Sequence, residues 1–377
     1  MRHLIGALCL AALGVIASLG AAPDGDTTPP PPAPDAPLRL AVIGLVHGHV
    51  EGVLWQARQR DDLEIVGVWE PDRALFEEMA QRHALDESLY FDDLDAMLRQ
   101  TTPEAVSVMT STADHLMAVR ACAPRGVHVM VEKPLAVSNE HAREMAALAR
   151  EHGVHLLTNY ETSWYASVRE AHRLTRAGAW ATPIRRAVFR HGHPGPVEIG
   201  CSPAFLDWLT DPEANGAGAL FDFGCYGANL MTWLQEGRRP LSVLATTRQL
   251  KPGTYPNVDD DATIVLTYER AVGVVQASWA WTHDNKEMDL FTDRASIHCA
   301  KWDALTIRRP DAEPETIRLD PLPSPTDNEW SMLREVVRGR AAPDGLMSLE
   351  NNLIVVEILE AARISAAQGR AVRLGGN

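Results

Sequence analysis

Lys133, Asp222 and Tyr226 combine side-chain types that can together hold an oxygen and handle a proton. An ammonium only donates, an ionised carboxylate only accepts, and a phenol does both. Lys133 follows Glu132 at the end of a run in which Val127, Val129, Met130 and Val131 read as a strand covered on both faces. Pro134 then stops the ladder, because it has no N–H to donate and restricts the residue before it. A charged pair at that place is either a solvated rim or the wall of a site, since open α/β sheets bind ligands beyond the carboxyl ends of their strands. Asp222 and Tyr226 stand four apart after the glycine-rich approach Gly216-Ala217-Gly218. They share one face if a helix starts at Asp222. Read structurally, Asp222 is a helix cap and Tyr226 a core aromatic.

The elements that must position these groups fall into two halves. Strands are expected at Leu38 to Ile43, Leu63 to Trp69, Leu89 to Phe91, Ala105 to Met109, the run before Lys133, and Val154 to Thr158. Between them helices are expected at His49 to Arg60, Arg73 to His83, Asp93 to Arg99, His115 to Ala123 and Ser138 to His152. This alternation predicts a Rossmann-like, doubly wound parallel sheet over residues 38–158. The turn Gly44-Leu45-Val46-His47-Gly48-His49 is where a dinucleotide pyrophosphate would meet a helix N-terminus. In strict G-x-G-x-x-G register its positions are Gly44, Val46 and His49, so the glycine pattern is broken. Glu70, ending the second strand, is placed to hold an adenosine ribose diol. An acid there favours NAD over NADP, whose 2′-phosphate would meet a like charge.

Residues 159–377 read as an α+β domain with a mostly antiparallel open sheet. Its strands are expected at Pro183 to Arg190, Leu241 to Leu250, Ala262 to Tyr268, Val272 to Trp279, Ala295 to His298 and Leu305 to Arg308. Helices close the chain at Glu329 to Arg338 and Ser348 to Ala367. One face of this sheet is a natural contact between copies of the chain.

The amino terminus reads as processing rather than fold. Arg2, the apolar run Leu4 to Leu19 and the small residues to Ala22 form a signal peptide, residues 1–22. A Pro-rich linker follows at 23–37. The expected location is therefore periplasmic or extracellular, without a membrane span after cleavage. A single arginine, not a pair, points to export of an unfolded chain. The remainder is ordinarily globular, and a formal charge of −15 with no basic run excludes a nucleic-acid surface. Five cysteines lie far apart, in neither a metal spacing nor a disulfide framework, although one bridge is compatible with an oxidising compartment.

The parallel half, Glu132-Lys133-Pro134 after its fifth strand, and the Gly-x-x-Asp-x-Gly-x-Tyr helix start resemble the glucose–fructose oxidoreductase/inositol dehydrogenase (Gfo/Idh/MocA) family. Thr110 to His115 and the closing Ser348-Leu349-Glu350 add to the resemblance, which covers Leu38 to Leu374. It implies an NAD(P)-dependent enzyme acting on a hydroxyl or carbonyl of a sugar, glycoside or polyol. It also implies that Lys133, Asp222 and Tyr226 are catalytic, with Tyr226 exchanging the proton. Lys133 would bind the reacting oxygen and lower the pKa of Tyr226, and Asp222 would orient the sugar hydroxyls or hold Lys133. Gly44, Val46, His47, Gly48, His49, Glu70, Thr110, His115, Glu132 and Lys133 would contact the cofactor. Asn159, Tyr160, Trp164, His191, His193 and Lys286 would wall the sugar site. His191 and His193 alternate on a strand end and could share a metal, but no third ligand is apparent, so no metal is assigned. Export into a compartment poor in free NAD implies a tightly held cofactor, or else a fold that has lost hydride chemistry. In the latter case the scaffold would serve a sugar lyase or hydrolase, or a sugar-binding protein.

Overall fold

The structure, a computed structural model, describes residues 36–177 and 181–375. The expected signal peptide and all but the last two residues of the linker lie outside these.

The first half alternates as β1 (Leu38–Ile43), α1 (Val50–Ala57), β2 (Leu63–Trp69), α2 (Arg73–His83), β3 (Tyr90–Phe91), α3 (Leu94–Thr101), β4 (Ala105–Val108), α4 (His115–Cys122), β5 (His128–Glu132), α5 (Asn139–Glu151) and β6 (Leu156–Asn159). The sheet order is β3-β2-β1-β4-β5-β6, all parallel, so the topological switch point lies between β1 and β4. Ligands of such sheets bind in the crevice at that reversal. Asp72, Asp93 and Ser138 cap α2, α3 and α5 through their side-chain oxygens, which is why these helices start where the sequence says they do. Gly44 has φ +82°, and a Cβ there would stand 2.6 Å from Thr110 Cγ2. Only glycine lets the β1 turn pack against the β4 turn.

The second half runs α6 (Ala166–Arg176), β7 (Arg186–Gly192), α7 (Pro203–Leu209), α8 (Pro212–Asn215), α9 (Ala219–Asp222), α10 (Gly224–Leu234), β8 (Ser242–Arg248), β9 (Asp261–Thr267), β10 (Val272–Ser278), β11 (Asn285–Phe291), β12 (Ser296–Lys301), β13 (Ala304–Arg309), β14 (Ala312–Arg318), α11 (Glu329–Val337), α12 (Leu349–Gln368) and β15 (Val372–Arg373). Its nine strands are ordered β14-β13-β12-β11-β7-β10-β9-β8-β15, antiparallel except where β7 pairs with β10. Both the parallel and the mostly antiparallel sheet are thus as expected.

Several details differ, among them α7, α8 and β15, which were not expected. β11 and β14 were not anticipated: NKEMDLF and AEPETIR are too polar to alternate visibly. The helix expected to start at Asp222 is broken at Phe223, so Asp222 ends α9 and Tyr226 sits in α10. Trp330, Met332, Leu333 and Val336 of α11 share a core with β1 and α1, so the chain returns to the parallel sheet after completing the second one.

Candidate active site

β5 brings Lys133 to the carboxyl end of the parallel sheet, and α9 brings Asp222 against it. The Lys133 Nζ pairs with Asp222 Oδ1 and also donates to the Asp222 carbonyl at 3.3 Å. Trp279, just beyond β10, donates its indole N–H to Asp222 Oδ2 at 2.8 Å. Both carboxylate oxygens are therefore held, and the three side chains are buried. Burial opposes both charges, but the pairing outweighs it: the Lys133 pKa is raised and that of Asp222 lowered.

Tyr226 lies beneath this pair, with Lys133 Nζ 5.3 Å from its ring centroid. Tyr160 and His191 meet its ring edge-on at 5.5 and 5.7 Å. No hydrogen bond joins its hydroxyl to the described residues. Burial, and then the Glu161 carboxylate, push its pKa well above the usual phenol value. The expected lowering of Tyr226 by Lys133 is thus overturned. The ammonium is neutralised by Asp222 and faces the ring, while desolvation and nearby carboxylates favour the neutral phenol.

The remaining expected wall residues divide into two groups. Lys286 lies opposite His191 in the β11–β7 register, with its Nζ 5.9 Å from the Tyr226 centroid and 2.8 Å from Glu161 Oε2. His191 is buried with an unpartnered Nδ1, and its pKa is depressed by burial to about 3. His193 Nδ1 accepts the Gly195 N–H at 2.9 Å. Tyr160 is wholly buried under Tyr226, so it is packing rather than wall. Asn159 and Trp164 instead line a cavity of about 410 Å³ with His49, Glu132, Glu161 and Glu329. Asn159 donates to Glu132 Oε1 at 3.1 Å and accepts from the Trp164 indole at 3.2 Å. Glu161 was not singled out from the polar stretch 159–165. Neither was Trp279 as a partner of Asp222. A carboxylate four residues before Tyr165 was the only local signal for the first, and none marked the second.

At the β1 turn, the amides of Val46 and Gly48 bond to none of the described residues. His47 is buried, and its Nδ1 accepts the His49 N–H at 3.1 Å. Its Nε2 must then carry a proton, and that donor has no partner. Two free amides and an orphaned donor at a helix N-terminus fit an anionic pyrophosphate despite the broken glycine pattern. Glu70 also braces the turn: its two oxygens accept the Leu45 and Asp72 amides at 2.8 and 3.0 Å, and each oxygen retains a second lone pair. His115 is buried against the Leu135 carbonyl at 3.1 Å, with its pKa lowered by burial to about 4, and Thr110 packs on Gly44. Both hold loops in place.

Ligand atoms of His47, His49 and Glu132 lie within 4.8 Å of one another. However, His49 is ion-paired to Glu132 at 3.0 Å, and the protonated Nε2 of His47 offers no lone pair. The trio reads as a hydrogen-bonded group.

Phe205 and Trp208 of α7 close over this turn. Their rings lie 5.1 and 5.5 Å from that of His47, and the Trp208 indole donates to the Val46 carbonyl at 3.4 Å. The Ala113 amide, in the β4 turn, donates to Ala214 of α8 at 3.0 Å.

Residues 38–160 match the domain described as "Oxidoreductase family, NAD-binding Rossmann fold", and residues 168–301 match the "GFO/IDH/MocA C-terminal domain". The chain belongs to the Gfo/Idh/MocA family. Among curated Gfo/Idh/MocA relatives, it is 27% identical over 229 residues to trans-1,2-dihydrobenzene-1,2-diol dehydrogenase of Macaca fuscata fuscata, covering 61% of this chain and 64% of that one. It is 30% identical over 202 residues to D-glucoside 3-dehydrogenase of Escherichia coli K12, covering 51% and 52%. The chain thus spans less than two thirds of the length of either. Solved structures with the same fold include the aldose–aldose oxidoreductase of Caulobacter crescentus complexed with glycerol (TM-score 0.75, 19% identity, 90% and 100% covered). Another is an inositol dehydrogenase homolog from Azotobacter vinelandii complexed with NAD+ (TM-score 0.76, 20% identity, 90% and 97% covered).

Proposed function

We propose that this chain is an exported, NAD(P)-dependent oxidoreductase acting on a hydroxyl or carbonyl carbon of a sugar, glycoside or polyol. One observation carries the reading. Lys133 directs two of its three N–H groups at Asp222, leaving one for a substrate oxygen, and its Nζ lies 5.3 Å from the ring centroid of Tyr226. The nicotinamide of a dinucleotide bound at the β1 turn would supply or accept the hydride. Lys133 holds the reacting oxygen, and Asp222, clamped by Trp279, orients Lys133. Tyr226 is a neutral phenol, so in reduction it gives its proton to the developing alkoxide. In oxidation the same step runs backwards and needs the tyrosinate, so oxidation speeds up with pH through the alkaline range.

The amides of Val46 and Gly48, with the His47 Nε2–H, would hold the pyrophosphate, and the strap of α7 and α8 over that turn supports a tightly held cofactor. Pairing along β8, β9, β10 and β7 aligns Leu244, Val265, Val274 and Val188 on the open face of the second sheet, which supports a homo-oligomer.

The test is purification from the exported fraction, followed by mass analysis of the denatured protein and a turnover screen on hexoses, glycosides and polyols. Bound NAD(H) is expected. Lys133→Ala and Tyr226→Phe should each lower turnover by about 10²–10⁴ while the dinucleotide stays bound. A protein that is empty and does not take up millimolar NAD(P) would refute the reading.

A further inference from the structure

We propose that Glu161 is a positioning residue that clamps Lys286 and thereby keeps Tyr226 the proton donor of the site. This rests on the role of Tyr226 above. Glu161 opens the short 3₁₀ turn Glu161–Trp164, directly after β6 and two residues beyond its last member. One of its oxygens pairs with Lys286 Nζ at 2.8 Å, and the other accepts the Tyr165 hydroxyl. Lys286 is mostly covered, so its ammonium has few ways to turn. Its other carboxylate, Asp284, is more distant at 3.9 Å.

The groups facing Tyr226 come from every element around it. Lys133 and Glu132 come from the end of β5, Tyr160 and Glu161 from the segment after β6, and Asp222 and Cys225 from α9 and α10. His191 comes from β7 and Lys286 from β11. Of the two ammonium groups, Lys133 is neutralised by Asp222. Lys286 is the one that could stabilise a tyrosinate, and Glu161 neutralises it. A carboxylate here acts twice in one direction: it repels a phenolate charge, and it occupies the cation that would otherwise offset it. Burial of Tyr226 strengthens both effects, because the surrounding dielectric is low.

The consequence is directional. With Glu161 present, Tyr226 is held neutral and ready to protonate a carbonyl oxygen. With the charge removed, Lys286 is released toward Tyr226, and the tyrosinate needed for oxidation becomes easier to form. A residue that merely supports the loop would lower turnover at all pH values alike.

The experiment compares wild type, Glu161→Gln and Glu161→Asp in the full-length mature protein, on whichever substrate the screen identifies. The alkaline limb of the kcat/KM profile for oxidation should move to lower pH in Glu161→Gln by about one unit. Oxidation near neutrality would then rise about tenfold, as one unit is a tenfold change in tyrosinate fraction. Glu161→Asp keeps the charge and should restore most of the wild-type profile. Tyrosinate absorbance, taken as the difference between each protein and the same protein carrying Tyr226→Phe, gives a readout that does not need turnover and should move in parallel. If Tyr226→Phe abolishes turnover but neither limb nor absorbance moves in Glu161→Gln, this inference fails while the proposed function stands. If Tyr226→Phe turns over normally, Tyr226 is not the proton donor and both fail.

Discussion

At the residue scale the site is organised by saturation of one carboxylate. Asp222 accepts from Lys133 on one oxygen and from the Trp279 indole on the other, so it cannot swing toward the substrate. Trp279→Phe keeps the ring but leaves a buried carboxylate oxygen without its donor. Loss of a hydrogen bond to a charged group costs roughly 1.5–3 kcal/mol. Urea denaturation should show a stability loss of that size, and kcat/KM should fall at least tenfold as Lys133 loses its fixed direction. Unchanged kinetics would mean that Lys133 alone sets the geometry. Lys133, Asp222 and Tyr226 were legible from residue type and motif. Trp279 and Glu161 were not, since each acts through a partner more than 50 residues away in sequence.

Among the elements, α7 does most to shape the cofactor side. Ser202 caps it, Pro203 starts it, and its seven residues are too few to display a helical period. Yet Phe205 and Trp208 reach the β1 turn, and Trp208 also ties down the Val46 carbonyl. Trp208→Ala should therefore loosen the cofactor. Stopped-flow displacement should show dinucleotide release faster by about tenfold, equivalent to ~1.4 kcal/mol, and the purified variant should carry less bound NAD(H). Equal release rates would show that the strap does not retain it. The break between α9 and α10 matters as well. Gly227 sits where a Cβ would stand 2.6 Å from Val275, so α10 packs directly on β10 and carries Tyr226 into the site.

Across the whole molecule, burial leaves neutral histidines with an acid liability. His115 and His191 have pKa values near 4 and 3, against 6.5 for the free side chain. Burial also lowers His128 to about 4 and His47 well below 6.5, so as pH falls below 6.5 the unfolded chain takes up protons at all four positions that the folded chain does not. Stability therefore decreases with falling pH, by roughly 2.7 kcal/mol per unit near pH 5 from His115 and His191 alone. Urea denaturation from about pH 6.5 down to 4.5 should show at least this slope, and His191→Gln should reduce it by about 1.4 kcal/mol per unit. A flat stability curve over that range would contradict the assignment of both histidines as neutral and buried.

Period and punctuation in the chain were sufficient for the two-sheet architecture, because apolar strands spaced by capped helices have one economical way to bury both faces. The same holds for Lys133, since a strand end followed by proline has a definite place in such a sheet. Folding decided which partner each charge has. Lys133 was read as tuning Tyr226, and Asp222 as orienting sugar hydroxyls or holding Lys133; the return of α9 pairs Asp222 with Lys133, and desolvation holds the phenol neutral. Glu70 was read as a ribose ligand, and the β1 turn also curls onto it, placing one backbone amide on each of its oxygens. Local sequence determines where a side chain emerges; the pKa and the free lone pairs it ends with depend on neighbours brought from distant parts of the chain.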